Sequence, residues 1–330
     1  MKPPRVVTLT LHPAIDRVVS IHEMRPGATF DARELLAIPA GKGVNTARVL
    51  RELCGASQRS LTAAWTGKNE ERFFREGLRD LSGVHSAICP RACATRFAHT
   101  FLEDSGRETH IKEAMPAPSE IEERALLDFW RKTVRKGDVV AVCGSAPKKT
   151  RGSTLKKIFE IAHERGARAI LADTNGAALI AAGNAGIELM KGNASEIGAW
   201  LGLREVFDAS RADHRRALNR ALNKSGAPKK LLITLGADGA LFATAEKLLH
   251  GFIRKQIPAR DIVSATGCGD AATAGVLWSM LESDTSDEEL LARAIACGTA
   301  KLFSADPGKI SLKRARGFVR YCLMKDIVTP

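Results

Sequence analysis

The sequence predicts an α/β fold built on a mostly parallel sheet with helices on both faces, and three observations support this. Short apolar and β-branched runs alternate with longer stretches of helical period. Runs such as Val139-Val140-Ala141-Val142-Cys143 are apolar throughout, as strands buried on both faces require. No internal repeat or low-complexity linker divides the 330 residues, so a single domain spanning 1–330 is expected.

Along the chain, Val6-Val7-Thr8-Leu9-Thr10-Leu11 opens as a strand, and residues 44–53 have helical period that stops near Gly55. Helical stretches at 70–81 and 121–134 precede the strand at 139–143. A helix near 155–164 leads to strands at Ala169-Ile170-Leu171-Ala172, Ile187-Glu188-Leu189-Met190 and Leu231-Leu232-Ile233-Thr234. Gly239-Ala240-Leu241-Phe242-Ala243 reads as the next strand, and a long helical region after Asp270 ends at Glu282-Ser283-Asp284. Two segments break the rhythm. Residues 18–38 alternate without helical period, and 97–111 read as a hairpin turning at Glu103-Asp104-Ser105-Gly106. Neither could hold a core alone. Together they predict a small sheet, a lid of about 17–38 and 97–112, whose closing would exclude water.

With 45% hydrophobic residues the chain can bury one large core. Every apolar stretch is interrupted by charge, and Met1-Lys2-Pro3-Pro4-Arg5 lacks a signal peptide's apolar segment, so no membrane association and a cytoplasmic location are expected. Seven cysteines show no paired metal-type spacing and suggest no disulfide framework. The net charge of +13 suits an anionic substrate or nucleic acid. Its runs at Lys148, Lys149 and Arg151, at Arg211, Arg215, Arg216 and Arg220, and at Lys313, Arg314, Arg316 and Arg320 read as solvated faces. One tyrosine and no basic stretch interleaved with aromatics argue against nucleic-acid binding.

Ser264-Ala265-Thr266-Gly267-Cys268-Gly269-Asp270 leads into the apolar stretch from Ala271 to Trp278. A glycine-rich turn entering a helix gathers unpaired amides and the positive end of the helix dipole, which suits a phosphate. Asp270 is the only carboxylate there and could take a proton from a hydroxyl while the amides hold the developing charge. The segment formally fits a dinucleotide G-x-G-x-x-A pattern, but it does not follow a first βαβ strand, so NAD binding is discounted.

Six matches in order give the chain a family resemblance. They are Leu9-Thr10-Leu11-His12-Pro13-Ala14-Ile15-Asp16, Pro39-Ala40-Gly41-Lys42-Gly43-Val44-Asn45, Gly144-Ser145-Ala146-Pro147, Asn193-Ala194-Ser195-Glu196, Thr234-Leu235-Gly236-Ala237-Asp238-Gly239 and Gly267-Cys268-Gly269-Asp270. The chain resembles the PfkB family of carbohydrate kinases, and within it the branch of 1-phosphofructokinases, tagatose-6-phosphate kinases and the minor 6-phosphofructokinase. The resemblance implies a ribokinase-like three-layer α/β/α domain with a β-sheet lid, ATP and Mg²⁺ as cofactors, and a sugar or sugar phosphate as substrate. Lid segments in this family often contribute to dimer contacts, which implies a homodimer through the lid.

The resemblance makes Asp270 the general base and the amides of Gly267, Cys268 and Gly269 the anion hole. Asp16, Gly41, Lys42, Asn45, Arg96 and Ser145 are implied on the sugar side; there Gly41 and Gly43 would let backbone approach the sugar. Read alone, Asp16 is a turn residue and Lys42 a solvated lysine or a phosphate contact. Asn193 and Glu196 are implied to organise Mg²⁺ and its waters, with Glu196 acting through water; alone they read as a helix cap. Thr234, Gly236 and Gly239 are implied near ATP, or form a tight hairpin, and Gly298 and Ser304 fall where the family lines the adenine pocket.

Departures concern the substrate. His12 stands in place of the usual asparagine, Ala98 in place of a sugar-contacting asparagine, His110-Ile111-Lys112-Glu113 in place of a segment that often carries asparagine, Cys268 in place of alanine, and Ala271 in place of serine. Arg96, with Lys112 or Arg33, could bind a phosphate already on the substrate. Ser264 replaces an aspartate that ribokinases associate with a monovalent cation, so potassium activation is not implied. The expected activity is transfer of the ATP γ-phosphoryl group to a hydroxyl of a phosphorylated ketohexose. The alternatives are a kinase of an unphosphorylated sugar or nucleoside, and an inactive sugar-phosphate-binding regulator.

Overall fold

The computed structural model describes residues 4–55, 58–254, 257–282 and 284–327. Its strands are β1 (Val6–Thr10), β2 (Ala14–Ile21), β3 (Arg33–Ala40), β4 (Ser60–Gly67), β5 (His85–Arg91), β6 (Arg96–Glu103) and β7 (Glu108–Lys112), followed by β8 (Val139–Cys143), β9 (Ala169–Asp173), β10 (Leu189–Asn193), β11 (Lys230–Thr234), β12 (Ala240–Ala243), β13 (Leu248–Ile253) and β14 (Cys322–Asp326). The helices are α1 (Lys42–Cys54), α2 (Glu71–Ser82), α3 (Glu120–Thr133), α4 (Gly152–Glu164), α5 (Gly176–Ala182), α6 (Ala194–Trp200), α7 (Ala212–Leu222), α8 (Cys268–Met280), α9 (Asp287–Lys301) and α10 (Leu312–Val319).

The larger sheet runs β5-β4-β1-β8-β9-β10-β11-β12-β13-β14. From β5 through β11 each neighbouring pair is parallel, and β11 to β14 close antiparallel. Strand alternation divides the core between two faces. Val7 and Leu9 of β1 join Leu126 of α3, Leu155 of α4 and Leu179 of α5, whereas Val6 joins Leu50 of α1, Leu277 of α8 and Leu291 of α9. Each of these side chains is at most 2% exposed, and burying one contributes about 1.5–3 kcal/mol. The result is the expected three-layer α/β/α arrangement.

Strands β4, β5, β13 and β14 were not assigned from the sequence. Ser60-Leu61-Thr62-Ala63-Ala64-Trp65-Thr66-Gly67 mixes strand-favouring Thr62, Trp65 and Thr66 with alanine and glycine, which disfavour strands, and pairing between β1 and β5 makes it a strand. β10 begins two residues later than expected, because its pairing with β11 carries it past the apolar run through Lys191 to Asn193.

The smaller sheet runs β3-β2-β6-β7, with β2 parallel to β6 and the other pairs antiparallel. Its first strand starts at Ala14 and its hairpin at Arg96, slightly earlier than the expected lid segments. The expected turn is present, closed by Gly106 N–H donating to the Glu103 carbonyl at 2.8 Å. No helix among the described residues is long and apolar enough to cross a membrane.

Connectivity locates the crevice. β1 lies between β4, which leads outward to β5, and β8, which leads the other way to β11. Strand order therefore reverses between β1 and β8, and open α/β sheets bind ligands beyond the carboxyl ends of strands at such a point.

Candidate active site

The carboxyl edge of the sheet carries most of the expected groups. His12 follows β1, Ser145 follows β8, β9 ends on Asp173, and Asn193 and Thr234 end β10 and β11 as register partners. The small sheet lies over this edge, since a cavity beneath it is lined by Asp16, Val18 and Thr100 from the sheet and by Ser264, Thr266 and Pro307 from below. Thr266 Oγ1 donates to Glu108 Oε2 of β7 at 3.4 Å.

Gly267 is the N-cap of α8, with φ +87°. A Cβ there would sit 2.6 Å from the Pro307 carbonyl oxygen, so both conformation and space require glycine. The amides available to an anion differ from the expected set. Cys268 N–H is spent on the Ala265 carbonyl at 3.2 Å, which closes the turn, whereas those of Gly267, Gly269 and Asp270 have no acceptor among the described residues. Burial pushes the Cys268 thiol up to about 11, so it stays protonated at neutral pH.

Asp270 lies in the first turn of α8 and is 6% exposed. Its Oδ2 accepts from Asn45 Nδ2 at 2.8 Å, and Oδ1 has no hydrogen-bond partner among the described residues. Burial, reinforced by the Asp173 charge, pushes its carboxyl up to about 6. The group is ionised at neutral pH yet more basic than an ordinary aspartate, as a general base should be.

Beside it lies a charge cluster that sequence reasoning missed. Asp173 is fully buried, with Lys42 Nζ 3.0 Å from Oδ1, Lys191 Nζ 3.0 Å from Oδ2, and Thr273 Oγ1 donating to Oδ2 at 2.6 Å. Burial alone would raise its pKa, but the Lys191 and Lys42 ammonium groups more than offset this and hold the carboxyl well below its usual range. Asp173 in turn raises Lys42 above its ordinary value. Lys42 is therefore an ion-paired lysine, 33% exposed, within the field of Asp270 and Glu196. Lys191 Nζ comes 3.6 Å from the position a Gly269 Cβ would take, so a second ammonium backs the anion turn. The signal was a lysine continuing an apolar strand: such a residue needs a buried counter-charge.

Beneath the small sheet, burial and then Asp270 raise Asp16 to about 6, while Arg96, Lys112 and Arg48 pull it down. His12 is held neutral, lowered to about 4 by burial and by Arg96 and Arg91. Its Nε2 accepts from the Met115 amide at 3.4 Å, which places the ring proton on Nδ1, 3.2 Å from Ser145 Oγ. Ser145 thus accepts from His12 and keeps its own O–H for a ligand. Arg96 donates to the carbonyls of Pro13, His12 and Glu113 at 3.3, 3.1 and 3.4 Å, bracing the small sheet and leaving two of its N–H groups. A Cβ at Gly41 or Gly43 would meet Thr10 at 2.7 and 2.5 Å respectively, so close approach to β1 already holds both positions to glycine. Arg33 is exposed at the start of β3.

Asn193 and Glu196 form a reciprocal capping box on α6 with both bonds at 2.8 Å, so the cap is realised. One Glu196 oxygen remains for other use. Thr234 ends β11, Gly236 opens the short 3₁₀ turn that follows, and Gly239 backs onto the Gly251 carbonyl of β13, a sheet contact. Gly298 of α9 faces the Cys268 carbonyl, and Ser304 Oγ donates to the Asp306 carbonyl at 3.2 Å. Both lie beside the anion turn.

Residues 10–312 match the model of the pfkB family carbohydrate kinases. The chain belongs to that family. As a pfkB carbohydrate kinase it is a phosphotransferase acting on an alcohol group. It is 27% identical over 306 residues to a 1-phosphofructokinase of Bacillus subtilis strain 168, covering 92% of this chain and 94% of that one. It is 29% identical over 281 residues to a 1-phosphofructokinase of Vibrio cholerae, covering 84% and 83%. Phosphofructokinase-2 from Escherichia coli, solved with fructose 6-phosphate, superposes with a TM-score of 0.82 at 25% identity, covering 96% of this chain and 99% of that one.

Proposed function

We propose that this pfkB kinase transfers the γ-phosphoryl of ATP to a hydroxyl of a phosphorylated ketohexose such as fructose 1-phosphate, fructose 6-phosphate or tagatose 6-phosphate. The observation that carries the reading is Asp270: a buried carboxylate with one oxygen fixed by Asn45 and the other open, beside the free amides of Gly267, Gly269 and Asp270. A substrate hydroxyl held by Asp16 and by the Ser145 O–H would give its proton to Asp270 Oδ1, while the amides, Lys42 and Lys191 hold the charge on the transferring group. The retained base argues against an inactive regulator. The 1-phosphofructokinase relatives and the fructose 6-phosphate complex of a structural neighbour favour a substrate that already carries a phosphate. The remaining N–H groups of Arg96, together with Lys112 close to Asp16, supply positive charge for it.

Magnesium fits this donor set only as an ion delivered with the nucleotide. Among the described residues no cluster of three or more metal-ligating side chains exists, and Glu196 offers one oxygen beyond its cap. Mg²⁺ is usually held by one or two carboxylates, water and substrate phosphates, where it shields phosphate charge. The open edges of the small sheet, β3 and β7, support a homodimer through that sheet.

The test is magnesium-dependent ADP release across a panel of ketohexoses, their 1- and 6-phosphates, and nucleosides. Turnover with a ketohexose phosphate, lost in Asp270→Asn, supports the reading. Turnover only with unphosphorylated acceptors moves it to the other kinase class, and binding without turnover sinks it.

A further inference from the structure

Lys301, the last residue of α9, is 0% exposed and ranks among the largest fully buried side chains. Lysines are almost never buried this completely unless paired. Among the described residues Lys301 forms no ion pair. Its Nζ donates to the Ser304 carbonyl at 2.6 Å and to the Ser264 carbonyl at 3.5 Å. Nearby Asp306 is already committed, to Arg48 at 3.0 and 2.6 Å and to the Gly308 amide at 2.8 Å. Burial pushes the lysine's pKa down, opposed by Cys268, Asp306, Glu108 and Asp270.

The two carbonyls belong to the two segments that shape the anion turn. Ser264 opens the turn itself, and its Oγ accepts the Thr266 amide at 3.1 Å. Ser304 opens the loop whose Pro307 carbonyl packs against Gly267. That loop is tied to α1, the helix carrying Lys42 and Asn45, through Arg48 and Asp306. An ammonium placed between two carbonyls at this point does what a bound monovalent cation does. It draws carbonyl oxygens to one side, leaves amides pointing to the other, and sets a positive charge behind them.

We propose that Lys301 is a positioning residue, a built-in cation that holds the turn from Ser264 to Gly269 in its anion-accepting form and makes phosphate binding independent of any monovalent cation from solution. The proposal rests on the kinase reading of that turn. Lys301 touches no reacting atom; it acts through the loop.

Calorimetric titration with the magnesium complex of AMP-PNP tests it, in choline chloride and then with potassium or ammonium chloride. The unmodified chain is expected to bind with less than about twofold change across these salts. Lys301→Met is expected to bind about tenfold more weakly in choline chloride and to recover most of the loss in potassium or ammonium. Lys301→Gln, which keeps N–H donors without charge, should behave like Lys301→Met. Unchanged binding by Lys301→Met, or a loss that neither cation restores, would overturn the proposal in favour of packing alone. Should the variants not fold, the unmodified chain still decides, because a tenfold gain from potassium would overturn it and a flat series supports it. The readout needs no acceptor sugar. Binding without turnover on the sugar panel would therefore remove the kinase reading and leave the cation result standing.

Discussion

Replacing Asp270 by asparagine keeps the side-chain shape and an acceptor for Asn45 Nδ2 while removing the charge, so it separates catalysis from folding. Loss of a general base lowers kcat by about 10²–10⁴-fold. The stability change has the opposite sign. The Asp270 carboxyl is raised from 3.8 to about 6 by burial and by Asp173, so the folded state holds its proton where the unfolded chain has released it. Stability from this group is complete below about pH 3.8 and is lost as pH rises through about 6. At 1.36 kcal/mol per pH unit that gap amounts to about 3 kcal/mol as an upper value. Asp270→Asn is therefore expected to be inactive and, by urea unfolding at pH 8, more stable by as much as about 3 kcal/mol. The advantage should shrink through pH 6 and vanish near pH 4. In the unmodified enzyme kcat/KM should fall as pH drops through about 6. A variant no more stable at pH 8, or an advantage unchanged by pH, would refute the assignment of Asp270 as a buried, strained base.

Asp173→Asn removes the carboxylate shared by Lys42 and Lys191 and should lower stability by about 3–5 kcal/mol, read by denaturant unfolding, because it leaves two ammonium groups without a partner. Glu196→Gln retains an acceptor for the Asn193 amide, so stability should change by less than about 0.5 kcal/mol while the magnesium concentration for half-maximal rate rises. His12→Ala frees Ser145 from its donor and should raise the sugar KM by about tenfold more than it lowers kcat. With His12 lowered to about 4, that effect should be flat from pH 6 to 8.

Legibility followed the range of each interaction. Asp16, Asn45, Glu196 and Asp270 stand in short motifs, and the strand at Val139–Cys143 is apolar from end to end, so local pattern revealed them. β4 was hidden because Ala63 and Ala64 at its centre carry no strand preference and are drawn into the sheet by pairing with β1 and β5. The Asp173 cluster was hidden because its partners come from α1, β10 and α8, and Lys301 because a lysine closing a helix looks like a solvated end. The Cys268 amide was assigned to the anion hole by position, and only the turn geometry shows it spent on Ala265.

Composition and periodicity determined the α/β layering and the order of motifs, because burial of alternating faces is a property of the local run. The tertiary structure decided which aspartate does what. Asp173 ends a strand and Asp270 lies in the first turn of a helix, and nothing local gives them opposite proton affinities. Two ammonium groups hold one ionised, while burial beside that first carboxylate makes the other basic. Electrostatic energy depends on distance and on exclusion of water, and both exist only once the chain has folded.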